Sequence, residues 1–154
     1  MGRVRASIDV PGRPFDAEAL WYDTARWPTF VDGLHHVARQ DAGWPREVGA
    51  RVVWDSTPGG RGRVVEVVEA FEQRTGQTAF VEDEHVRGTQ RVAFTALDGD
   101  RTRVEIAFEY TIKRRGGWTP LVDMVFVRRP FREALERTLT RFARELRADR
   151  DLLA

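Results

Sequence analysis

Four consecutive residues, Glu82-Asp83-Glu84-His85, set three carboxyl groups beside an imidazole, the raw material of general acid–base chemistry. On a strand they must alternate faces, so two would point inward, where desolvation raises a carboxyl pKa. The competing outcome is a sheet edge or rim at which all four are solvated. Glu66 and Glu69 pose the same question on the strand before, one of them a candidate to face the interior. Tyr110 lies on the apolar face of its own strand, either as a core tyrosine bonded to a backbone carbonyl or as a donor toward a ligand. By helical spacing from Met124, Phe131 and Leu135, Arg128 falls on an apolar stripe. There a guanidinium would pair with a carboxylate or phenolate; a kink at Pro130 would turn it to water instead.

Other chemistries lack their residues. The chain has 154 residues and no cysteine, which excludes disulfides, thiolate metal sites and a cysteine nucleophile, and suits a cytoplasmic setting. Ser7 and Ser56 are the only serines, so a serine–histidine–aspartate set cannot be assembled with assurance. His35 and His36 are adjacent, which on a strand sends them to opposite faces; with only His85 left, no metal site is expected. Gly59-Gly60-Arg61-Gly62 lacks the lysine and hydroxyl of a phosphate loop and reads as a hairpin turn. With no dinucleotide fingerprint either, no cofactor is expected. A net charge of +1 argues against a nucleic-acid partner. No apolar run approaches the ~20 residues that span a bilayer, and Met1 to Val10 alternates like a strand rather than a signal peptide.

The elements that must position these groups are legible from period and punctuation. Val4, Ala6, Ile8 and Val10 alternate with polar residues in a first strand that Pro11-Gly12 stops. A short helix is expected over Phe15–Thr24, broken by Trp27-Pro28, and a second over Pro28–Gly33. Six strands follow near Leu34–Asp41, Gly49–Thr57, Gly62–Gln73, Gln77–Arg87, Thr89–Leu97 and Arg101–Arg114, with turns at Gly43-Trp44-Pro45, Pro58-Gly59-Gly60, Thr75-Gly76, Gly88 and Asp98-Gly99. Inner-face positions are expected at Val52, Trp54, Val65, Val67, Phe71, Val92 and Phe94, and along Val104, Ile106, Phe108, Tyr110 and Ile112. From about Trp118 to Ala154 one long amphipathic helix is expected. Thr119-Pro120 would start it, and Leu121, Met124, Phe131, Leu135, Leu139, Phe142 and Leu146 form its stripe. Its segment Arg128–Arg150 carries eight arginines against four acids, a solvated face of alternating charge or a surface attracted to a membrane or an acidic partner. The short connections make the fold one antiparallel α+β domain over residues 1–154.

This order of elements resembles the START-like, or SRPBCC, superfamily of helix-grip proteins, of the bacterial polyketide cyclase/dehydrase kind. The likeness rests on the opening strand ending in Val10-Pro11, Trp27-Pro28 after the first helix, and Gly49 at the third strand. Gly88-Thr89-Gln90, the run Asp98-Gly99-Asp100-Arg101-Thr102-Arg103-Val104 and the arginine-rich last helix extend it over essentially the whole chain. The resemblance implies a helix-grip fold: a seven-stranded curved antiparallel sheet wrapped around a long C-terminal helix, with two short helices between strands 1 and 2. It also implies a cavity between sheet and helix for a mostly apolar guest. The candidate cavity residues are Trp54, Phe71, Glu69, Asp83, Phe94, Phe108, Tyr110, Met124, Arg128 and Phe131. The implied role is a carrier or sensor of a lipid, isoprenoid or aromatic polyketide-like molecule. Alternatives are a cyclase using Tyr110, Arg128 and one strand carboxylate, or a protein-binding module using Arg137, Arg141 and Arg144. Fold does not choose among them, and the oligomeric state is left open.

Overall fold

The computed structural model describes residues 1–113 and 124–154, and of Met124 the backbone alone. The expected helix start at Thr119-Pro120 and the stripe residue Leu121 lie outside the described residues. Strand β1 (Gly2–Pro11) leads into helix α1 (Pro14–Trp21), a 3-10 turn (Thr24–Arg26) and the single turn of α2 (Trp27–Phe30). Strands β2 (Leu34–Gln40), β3 (Arg51–Ser56), β4 (Arg63–Glu72), β5 (Gly76–Glu82), β6 (Val86–Leu97) and β7 (Arg101–Ile112) follow. A π-helical turn (Met124–Arg128) then runs into helix α3 (Arg129–Leu153). The strands form one sheet in the order β1-β7-β6-β5-β4-β3-β2, every neighbouring pair antiparallel.

Local chemistry accounts for the boundaries. Pro14 opens α1, where its missing N–H costs nothing, and Asp16 Oδ2 accepts the Arg13 N–H at 2.9 Å. Asp23 caps the 3-10 turn by accepting from the Ala25 N–H. Along β7 the strict alternation buries Thr102, Val104, Ile106, Phe108 and Tyr110. The opposite face carries charge pairs such as Arg103 Nε to Asp9 Oδ1 at 2.9 Å.

Three expectations about the sheet are corrected. The turn between β5 and β6 is Asp83-Glu84-His85, not Gly88, because the Asp83 carboxylate accepts the backbone N–H of both His85 (2.7 Å) and Val86 (2.9 Å). Gly88 sits inside β6 opposite Tyr110, and a Cβ there would lie 1.9 Å from the Glu109 carbonyl oxygen. On β4 the buried residues are Val64, Glu66 and Val68, whereas Val65 and Val67 are half-buried and Glu69 is exposed. Valines on both faces erase the alternation that would set the register. A register shift between Val68 and Ala70 then returns Phe71 toward the core. Finally, His35 and His36 do not part. A shift between Leu34 and His36 brings both exposed rings to the same side, 5.1 Å apart.

Helix α3 buries Leu139, Phe142, Ala143 and Leu146 against β1, α1 and α2. Phe142 is fully enclosed, with Trp21 and Phe30 edge-on at 5.3 and 5.4 Å. Ion pairs tie its polar face to the body. Arg26 of the 3-10 turn reaches Glu145 and Asp149, Arg137 and Arg141 both grip Asp32, and Arg150 meets Asp16 and Asp100. Three arginines of the basic face are therefore engaged with the body of the chain. The C-terminal half of α3 is packed, while Phe131 and Leu135 in the N-terminal half are only partly buried. The cavity lies beneath that half. No helix of the described residues is long and apolar enough to cross a membrane.

Candidate functional site

Trp54 and Ser56 at the end of β3, the glycine-rich β3–β4 connection, the Asp83 turn, Val127 and the first turns of α3 enclose a cavity of about 440 Å³. A second space of about 80 Å³ lies deeper, with Trp21, Trp44, Glu66, Gln77, Gln90 and Ile106 on its wall. The two share Asp32, Trp54, Arg61, Phe131 and Ala134. The strands reach this end because β3 and β4 are joined by a glycine-rich loop, in which Gly59 and Gly62 adopt positive φ (80° and 73°) that a side chain would strain.

Arg61, the one long side chain in that loop, folds back over the cavity. Its Nε–H donates to Asp83 Oδ2 at 2.6 Å. Its guanidinium carbon stands 4.8 Å from the Phe131 ring centroid, 5.7 Å from Trp54 and 5.9 Å from Phe108. Asp83 is 2% exposed and holds three donors, two from its own turn and one from Arg61. Lys113 Nζ donates to the Asp83 carbonyl oxygen at 2.9 Å, fastening the same turn to the end of β7. Of the rest of the run, Glu82 is half-buried and pairs with Lys113, Glu84 is exposed, and His85 is exposed but lines the outer cavity.

Glu66 is the buried carboxyl of the inner space. Trp54 Nε1–H donates to its Oε2 at 2.7 Å. Burial pushes its pKa above the ordinary 4.5, against the opposing pull of the Trp54 hydrogen bond and the Arg61 charge. A carboxyl in this setting holds its proton longer than an exposed one. Such a group can donate to, or take a proton from, a guest beside it.

The candidates divide by place. Trp54, Asp83 and Phe131 line the outer cavity. Phe108 and Tyr110 stand one layer behind, their rings 5.5 and 5.7 Å from Phe131. Phe71 and Phe94 pack elsewhere, against Tyr22, at 5.7 and 6.1 Å. Glu69 faces outward, and the Met124 side chain lies outside the described residues. Arg128 is half-buried at the end of the π turn and lines neither space. The wider π turn breaks the 3.6-residue period from which its position on the stripe was counted. Sequence reasoning missed Arg61 and Ser56, and of the pair Glu66 and Glu69 its candidate list carried the one that proves exposed. For Arg61 the available signal was a single long cation among glycines. For Glu66 there was none, since valines occupy both faces of β4 and only its register opposite Val52 shows it facing inward.

Comparison with known proteins agrees with this architecture. A family model described as "Polyketide cyclase / dehydrase and lipid transport" matches residues 1–147. The fold is similar to that of a Thermus thermophilus protein, with a TM-score of 0.73 and 19% identity over 96% of this chain and 99% of that one. It is also similar to a START superfamily protein from Mycobacterium smegmatis, at 0.66 and 16% over 99% of both chains. A third similar structure is a protein in the dynemicin biosynthetic locus, at 0.65 and 16%, covering 94% of this chain and 47% of that one. No curated protein sequence matches this chain. At these identities the structural likeness is one of fold.

Proposed function

The chain belongs to the polyketide cyclase/dehydrase and lipid transport family, and from that premise we propose that it binds one mostly apolar small molecule between its sheet and α3, as a carrier or sensor. The observation that carries this reading is the cavity itself. Its volume of about 440 Å³ falls within the range of small-molecule sites, its lining is largely apolar, and a few polar groups converge on it. The guest would be a lipid, an isoprenoid or an aromatic polyketide-like molecule, held against Trp54, Val127 and Phe131.

The test is denaturing mass spectrometry of the purified protein for a retained guest, with thermal shifts across a lipid and polyphenol panel. A binder at ~100 times its Kd should add about 2.7 kcal/mol to stability and raise Tm. Ala134→Trp fills both spaces from α3 and should abolish the shift without unfolding the protein. A panel with no binder, or an unchanged shift in Ala134→Trp, rejects the reading.

Glu66 favours a second reading, a cyclase acting in the same space. A buried carboxyl whose pKa is raised by desolvation is suited to supply a proton to an enolate oxygen as a poly-β-ketone chain closes. Tyr110 and Arg128 line neither space, so of the groups named for this chemistry the strand carboxylate, as Glu66, is the one this reading keeps. Glu66→Gln should then lower turnover of a poly-β-ketone mimic at least ~100-fold with the fold intact; unchanged turnover rejects it.

A further inference from the structure

Arg61 is half satisfied. Asp83 takes its Nε–H, and the Phe131 ring lies against the guanidinium. The Nη2 atom is buried and finds no hydrogen-bond partner among the described residues, although Arg61 lines both cavity spaces. Ser56 Oγ, on the outer wall, is in the same condition. A buried donor without an acceptor is costly, the more so on a cation.

The carboxyl groups around it are committed elsewhere. Asp83 Oδ1 accepts the His85 and Val86 N–H groups. Asp32, on the same wall, is held by Arg137 and Arg141. Glu66 accepts from the Trp54 indole. The missing acceptor is one that a guest would bring, and an anionic oxygen suits a guanidinium best.

Building on the receptor reading above, we propose that the guest is an amphiphile ending in a carboxylate, which accepts from Arg61 Nη2 while its apolar body lies along Phe131 and Val127. Ser56 Oγ is a second donor on the same wall. Asp83 is a positioning residue: it fixes the edge that Arg61 turns away from the guest. The Arg61–Asp83 pair keeps the site near neutral when it is empty.

The test uses N-phenyl-1-naphthylamine, an uncharged apolar fluorophore, displaced by decanoate or by 1-decanol. Wild-type protein should bind decanoate at least about tenfold more tightly than decanol. Arg61→Met should weaken decanoate alone and erase the difference. Because Arg61→Met strands the Asp83 charge, the double variant Arg61→Met/Asp83→Asn is measured beside it. The asparagine amide in that variant keeps an acceptor for the His85 and Val86 N–H groups, and decanol affinity reports on the integrity of each cavity.

Equal binding of the two displacers by wild type, with decanol still bound, overturns the carboxylate and leaves the receptor reading standing. Retained preference for decanoate in both variants removes Arg61 from the role, as does an equal loss of both displacers. Failure of the fluorophore and both displacers on wild type overturns the receptor reading and this inference with it.

Discussion

Single side chains carry the functional weight here, and two of them have measurable signatures. Glu66 has its pKa raised by burial, so the folded chain keeps this proton at pH values where the unfolded chain has already lost it. Unfolding then releases a proton, and this contribution makes stability fall as pH rises from about 4.5 through the folded value, levelling off above it. Glu66→Gln removes the titration while keeping an oxygen for the Trp54 N–H. Its stability relative to wild type should therefore grow as pH rises above about 4.5, read by urea unfolding; a constant difference would show that Glu66 titrates normally. Asp83 makes the opposite point, since its carboxylate is fully used by two backbone donors and Arg61. Asp83→Ala should cost about 2–3 kcal/mol in the same experiment, because it opens the β5–β6 turn and leaves the half-buried Arg61 guanidinium without its carboxylate. The residue types were legible from the sequence, but their facing was not. Glu66 and Glu69 are indistinguishable on a strand with valine on both faces, and Asp83 turned out to build the turn that its own strand was expected to run through.

Elements decide how close backbones come and where the wall is left open. In β6, Gly88 lies so near the Glu109 carbonyl that any side chain forces β6 and β7 apart. Gly88→Ala should cost about 2 kcal/mol or more, seen as a lower urea midpoint. Gly33→Ala, where a Cβ meets nothing within 4 Å, is the control for positive-φ strain alone (φ 76°). Helix α3 was readable over its packed half, because Leu139, Phe142 and Leu146 recur with the α-helical period and their partners on β1 and α2 are apolar too. Its start was harder. The π turn at Met124–Arg128 changes the angular step, and Pro130 just beyond it has no N–H to continue an ordinary ladder.

At the scale of the molecule, one end of the sheet–helix sandwich is solid and the other hollow. A guest in the hollow end should slow amide exchange in the β3–β4 connection and the first turns of α3, while Leu139–Leu146 in the packed half stay unchanged. Uniform protection along α3 would mean that binding stabilises the whole fold rather than this end. The sequence alone determined the order of elements, the antiparallel meander, the inner face of β7 and the apolar stripe of α3. Each of these follows from period and turn residues within a dozen positions. Only the tertiary structure decided that Glu66 rather than Glu69 is buried, that His35 and His36 share a side, and that Arg61 leaves its loop to sit among Trp54, Phe108 and Phe131. Those outcomes depend on register shifts and on partners as many as 70 residues away along the chain (Arg61 to Phe131), and local patterning carries no record of such contacts.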